Sequence, residues 1–205
     1  MKKITKILAT ATLLCVQTTI AFAQQPQSTS PVGCVSGNCQ NGLGKMVSPK
    51  GAVFEGNFVN GIASGKGKMI YPDGNKYEGD FVGGKREGQG TFTLKRSGEV
   101  YTGTFVNGQL NGFGKYIDVI ESYEGNWING KRTGKGKLFL HVLGNIYEGD
   151  FVEGRFTGKG IYKYKDGSSY IGEFKNMNKE GAGKEFDKAN KLIREGIWKN
   201  DVFIK

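Results

Sequence analysis

The chain is 205 residues long with a formal net charge of +10 at pH 7, and it holds 34 glycines, 4 prolines, 3 cysteines and 1 histidine. One histidine and so few cysteines leave no ligand set for a zinc site. The basic balance favours anionic partners without naming one.

The first 23 residues differ from the rest. Lys2, Lys3 and Lys6 precede a mostly apolar run from Ile7 to Ala23, which closes on Ala21-Phe22-Ala23 before Gln24-Gln25. That order predicts a secretory signal peptide of bacterial type over 1–23, cleaved after Ala23, and hence an exported protein, periplasmic or extracellular. A membrane anchor is disfavoured because Thr10, Thr12, Gln17, Thr18 and Thr19 interrupt the run, and a span needs about 20 predominantly apolar residues. Lipid attachment at Cys15 is disfavoured because Leu14, not a small residue, precedes it. The leader carries three lysines and no acid, so its removal lowers the net charge from +10 to +7.

Residues 24–32, QQPQSTSPV, read as a linker. Cys34 and Cys39 follow within a degenerate unit, 33–53. In an exported chain such a pair predicts a disulfide rather than a redox or metal site, closing a small loop whose stabilisation sits at the low end of the usual range.

From Phe54 onward the sequence is periodic. Units start at Phe54, Tyr77, Tyr101, Tyr123, Tyr147 and Tyr170, at steps of 23, 24, 22, 24 and 23 residues. Six units thus fill 54–193, and a half-unit opening at Arg194 closes the chain over 194–205. Self-similarity at this period marks an array in which each unit stacks only on its neighbours. Within a unit the pattern has period two: Tyr77, Gly79 and Phe81 share one strand face, and Glu78, Asp80 and Val82 the other. The chain is then expected to turn through Gly83-Gly84-Lys85-Arg86-Glu87 and return with Gly88, Gly90, Phe92 and Leu94 on the aromatic face, a β-hairpin. A glycine opposite a large ring leaves room that the ring covers, so the phrase reads as a packing unit. On the other face Glu55 is expected opposite Lys66 and Lys68, Glu124 opposite Lys135 and Lys137, and Glu148 opposite Lys159. Glu185 and Asp187 replace the returning apolar pair of the sixth unit and suggest a polar end cap.

The phrase Tyr-Glu-Gly-x-Trp/Phe-x-x-Gly-x-x-x-Gly-x-Gly, at Tyr77 to Gly90, Tyr123 to Gly136 and Tyr147 to Gly160, resembles the MORN repeat (membrane occupation and recognition nexus). The resemblance runs from Gly33 to Lys205. It implies an all-β fold, an elongated, twisted antiparallel sheet of successive hairpins that acts as a scaffold or binding surface. Family members have been linked to membrane phospholipids, to protein partners and to dimerisation.

Enzymatic readings find little support. The clusters at Gly65-Lys66-Gly67 and Gly134-Lys135-Gly136 lack the spacing of a phosphate loop. His141 stands among Leu140, Val142 and Leu143, and the Glu78/Asp80 pair recurs at Glu148/Asp150 as a surface feature would. The expectation is a protein without catalysis, cofactor or metal. Binding has two candidate surfaces. Lys85, Arg86, Lys131, Arg132 and Arg155 fall in equivalent turns and would form one basic edge, with repeats two and four about 19 Å apart. With Lys135, Lys137 and Lys159, that edge would meet anionic phospholipid head groups or an envelope glycan. Alternatively, the aromatic-glycine face, through Trp127, Tyr147 and Phe151, would serve protein-protein interaction or a homodimer, since an uncovered sheet leaves rings partly exposed. Nucleic acid is not an expected partner.

Overall fold

The period-two pattern is realised as hairpins along the whole length that the computed structural model describes, residues 33–205. The expected signal peptide, its cleavage site and the expected linker lie outside the described residues. The fold is all-β and antiparallel, and divides into two units, one ending at Asp118 and one running Val119–Lys205. The first contains β1 (Cys34–Gly37), β2 (Gly42–Val47), β3 (Val53–Val59), β4 (Ile62–Ile70), β5 (Lys76–Val82), β6 (Lys85–Thr93), β7 (Val100–Val106) and β8 (Gln109–Ile117). The second contains β9 (Glu121–Ile128), β10 (Lys131–Leu140), β11 (Asn145–Val152), β12 (Arg155–Lys163), β13 (Ser169–Lys175), β14 (Asn178–Phe186), β15 (Leu192–Lys199) and β16 (Val202–Phe203). Within each unit every strand pairs with the next in sequence.

The hairpin within each repeat turns on two residues with positive φ: Asn60-Gly61 at 50° and 76°, Gly83-Gly84 at 56° and 75°, Asn129-Gly130 at 49° and 73°. These are the type I′ values that match strand twist, and they explain the Asn-Gly and Gly-Gly pairs. The turn is therefore tighter than the sequence suggested. Val82 pairs directly with Lys85, so Lys85, Arg86 and Glu87 belong to strand β6 and not to the turn.

A bulge follows. Phe81 pairs with Arg86 and Gly79 with Gly90, so three residues of β6, Glu87 to Gln89, stand against Asp80 alone on β5. Gly88 takes φ +64° at this point. In repeats two and five the residue after Glu-Gly caps the bulge: the Gln89 amide donates to the Asp80 carboxylate at 3.0 Å and the Lys159 amide to Asp150 at 3.1 Å. Asn57 and Asn126 instead donate to the carbonyls of Lys66 and Lys135.

The core lies on one face of the sheet. The Tyr77, Tyr123, Tyr147 and Tyr170 rings lie across glycine pairs, and their hydroxyls donate to the carbonyls of Asp80, Asn126, Asp150 and Glu173 at 3.1–3.2 Å. A Cβ on Gly90 would stand 2.3 Å from the Tyr77 oxygen, and one on Gly136 2.3 Å from that of Tyr123. Rings of successive repeats meet edge to face. In the second unit Tyr123 packs on Trp127 and Phe151, Tyr147 on Phe151 and Phe174, and Tyr170 on Phe174 and Trp198, with centroids 4.9–5.3 Å apart. Such contacts add about 0.5–1.5 kcal/mol each beyond area burial. A single layer thus makes its own core, because ring covers glycine and ring covers ring. The expectation of partly exposed rings is corrected: Trp127, Tyr147 and Phe151 are only 4%, 0% and 1% exposed.

Candidate functional site

Parity decides where each cation goes. In β6, Arg86, Gly88, Gly90 and Phe92 share the aromatic face, and Lys85 the other. The equivalent position along the repeats holds Ala63, Arg86, Leu110, Arg132, Phe156 and Lys179, a core slot filled by either an apolar or a cationic side chain. Arg86 stacks on Phe92 at 4.4 Å, lies 5.6 Å from the Phe105 centroid, and donates to the Gly108 carbonyl at 2.6 Å. Arg132 is 7% exposed, sits 4.9 Å over Tyr123 and is ion-paired with Glu121, itself 4% exposed. Lys179 is 4% exposed, lies 4.8 Å over Tyr170 and bonds Glu185 at 2.9 Å. Arg86 and Arg132 therefore point into the core and do not line a basic edge. Glu185 is no exposed end cap either, since it joins Lys179 and Arg194. The sequence signal for this was available: Arg132 has the parity of Gly136 and Leu138, and Leu110 and Phe156 occupy its slot in other repeats.

Burial also sets the tyrosines. Desolvation pushes Tyr123 up to about 12, with the Arg132 charge opposing. The same cause raises Tyr77 and Tyr147.

What remains in solvent is the opposite face and its hairpin rim. The register pair closing each turn is Val59–Ile62, Val82–Lys85 and Val106–Gln109 in the first unit. In the second it is Ile128–Lys131, Val152–Arg155, Lys175–Asn178 and Lys199–Val202. Every hairpin of the second unit thus carries one exposed cation beside its turn, and neighbouring hairpins are about 9–10 Å apart. Lys131 also contacts Glu153, an exposed pair that contributes little. Arg155, Lys175 and Lys199 have no ion-pair partner among the described residues. Lys175 and Lys199 were missed by reading the sequence motif alone, because they sit where other repeats have an aliphatic residue. Lys85 remains on the rim, bonding Asn107 at 3.3 Å.

The lysines farther from the rim are more engaged. Lys135 bonds Asp150 at 2.6 Å, and Lys66 bonds Asp80 at 2.7 Å. The Lys66 ammonium holds the Asp80 carboxyl below its ordinary value, burial opposing and the Gln89 amide assisting. Lys137 stands between Glu124 and Glu148, and Lys159 faces Glu173 rather than Glu148. On this face of the first unit the glycine ladder Gly44, Gly56, Gly67, Gly79, Gly90 floors an open groove of about 950 Å³, walled by Lys45, Glu55, Lys66, Lys68, Glu78 and Gln89. His141 meets the Ser122 hydroxyl at 3.2 Å and the Phe139 ring at 5.1 Å.

The profile of the MORN repeat family matches five segments, 54–76, 77–97, 101–119, 123–139 and 147–169. The sixth unit, from Tyr170 onward, lies outside the matched segments although it forms the same hairpin. No curated protein sequence matches. Among solved structures, the TCP10c domain of Drosophila melanogaster Sas-4 aligns with a TM-score of 0.43 at 12% identity, covering 74% of this chain and 90% of that one. The E1021V mutant of the TCP10 domain of Danio rerio CPAP aligns with a TM-score of 0.45 at 13% identity, covering 76% and 72%.

Proposed function

The chain belongs to the MORN-repeat family, and from that premise we propose that it is an exported, non-catalytic scaffold of the cell envelope whose hairpin rim adheres to an anionic surface. The observation that carries the reading is the row Lys131, Arg155, Lys175 and Lys199, one cation per hairpin at the turn-closing pair. Four cations at about 9–10 Å intervals each contribute roughly 1 kcal/mol next to an anionic membrane. The contact is weak, reversible and screened by salt. The surface is phospholipid head groups or an envelope glycan; both present rows of negative charge.

The test is co-flotation of the purified protein with anionic and neutral vesicles at low and high salt, run beside retention on an anionic polysaccharide. The variant Lys131→Gln/Arg155→Gln/Lys175→Gln/Lys199→Gln is compared throughout. Capture by anionic material alone, lost in salt and in the variant, is the expected result, and the two matrices separate lipid from glycan. Equal capture of the variant sinks the rim as the contact.

A protein-interaction or homodimer scaffold is the second reading. It rests on the groove of the first unit and on Val59, Val82 and Val106, 52%, 62% and 41% exposed beside it, not on the buried rings. Binding of this kind is insensitive to salt.

A further inference from the structure

In the complete repeats that carry Tyr77, Tyr123, Tyr147 and Tyr170, a ring covers the glycine pair, whereas the atoms nearest a Cβ on Gly44 are those of Asn38 and Cys39. The disulfide Cys34–Cys39 takes that place. A Cβ on Gly44 would stand 2.9 Å from the Cys39 sulfur, and Cys39 is 2% exposed. The bridged loop is also the first joint of the array. Elsewhere the second turn residue donates to the slot residue of the preceding repeat, as Gly84 does to Ala63 and Gly154 to Arg132. Here Gly61 donates to the Gln40 carbonyl at 2.9 Å and Asn60 to the Asn41 side chain at 3.0 Å. β1 itself has four residues and a shifted register against β2, and it covers the outer edge of β2 through few bonds. Among these are Val47 N–H to the Gly33 carbonyl and Asn38 N–H to that of Leu43, both 2.7 Å. A four-residue strand with a shifted register makes few ladder bonds of its own, and the covalent bridge adds to them.

We propose that the disulfide is a latch that keeps β1 over a latent pairing edge, and that its reduction frees β2 to add a strand from a second copy of the chain. The chemistry needs an external dithiol. Its thiolate attacks the sulfur of Cys34, which is partly exposed, breaking the S–S bond and releasing Cys39 as a thiolate that takes a proton. The second thiol resolves the mixed disulfide, leaving Cys34 reduced and the dithiol oxidised. β1 then lacks its tie, and the N–H and C=O groups it covered on β2 are open. An unguarded edge pairs with another edge, and an identical copy presents a complementary one. Leu43, already 70% exposed beside that edge, adds apolar surface.

The latch is read by amide hydrogen exchange and sedimentation of the purified protein with and without dithiothreitol, and of the Cys34→Ser/Cys39→Ser double variant without it. Exchange of the Val47 amide accelerates at least tenfold on reduction, amides of β3–β8 keep their rates, and a concentration-dependent dimer forms. The double variant behaves as the reduced protein. Unchanged exchange at Val47 overturns the latch. Acceleration throughout β3–β8 overturns it too, because the disulfide then supports the whole unit. Faster Val47 exchange in a protein that stays monomeric overturns the pairing edge.

Discussion

The two units repeat one phrase, yet they use its basic positions differently. At the core slot, Arg86 of the first unit donates to a backbone carbonyl and stacks on rings, whereas Arg132 of the second is buried against the equally buried Glu121. At the rim the first unit closes two of three turns with uncharged pairs, whereas the second places a cation at all four. The lesson is that a cation in this repeat has two fates separated by one residue. On one parity it is part of the core, packed on rings and paired with buried groups; on the other it is surface charge on the solvent side of the sheet.

The largest expected effect tests the core side of that contrast. Glu121→Ala leaves the Arg132 guanidinium buried without its carboxylate and should cost about 3–5 kcal/mol in chemical denaturation. Arg132→Leu should approach that loss, while Arg86→Leu costs only about 1 kcal/mol, since a neutral carbonyl is easier to leave. The double change Glu121→Leu/Arg132→Leu should recover most of the deficit, as Leu110 already fills this slot in repeat three. Equal losses at Arg86 and Arg132 would break the distinction between the units.

Next in size is the ring-on-glycine contact common to both. Gly136→Ala would place a Cβ 2.3 Å from the Tyr123 oxygen and 2.5 Å from its ring, an overpacking worth about 1–3 kcal/mol. Gly98→Ala has nothing within 4 Å and carries only its backbone strain at φ +74°. If Gly98→Ala proves the worse of the two in melting experiments, the packing account is wrong.

A smaller effect follows from the buried phenols. Their folded values lie above the ordinary tyrosine value of 10.0, so the folded state keeps protons that the unfolded state loses. Stability from Tyr123 is complete below pH 10.0 and is lost as pH rises toward about 12. Urea midpoints measured across that window should fall, and Tyr123→Phe should flatten the fall.

The smallest stability effect belongs to the rim. Changing Lys131, Arg155, Lys175 and Lys199 to Gln should move stability by about 0.5 kcal/mol or less while abolishing flotation with anionic vesicles. Lys85→Gln, the lone rim cation beside its turn in the first unit, should leave flotation nearly intact.

Much of this molecule was legible in its residues. Alternation of period two and the returning Tyr-Glu-Gly phrase determine strands, hairpins and their order, because side-chain direction in a strand is fixed by position alone. The disulfide was legible too, from two cysteines five residues apart at the head of the array. The candidate site was less so. Placing Lys85 and Arg86 in the turn hid the fact that a Gly83-Gly84 type I′ turn is complete in two residues, after which parity sends Arg86 inward. The uncovered sheet was expected to expose its rings, but Tyr77, Tyr123, Tyr147 and Tyr170 each lie across two glycines and against a ring of the next repeat, a closure that only neighbouring units in three dimensions provide. Sequence therefore determined which residues share a face. Tertiary structure decided which face is the core, because burial depends on what the next repeat brings and not on the strand that carries the side chain.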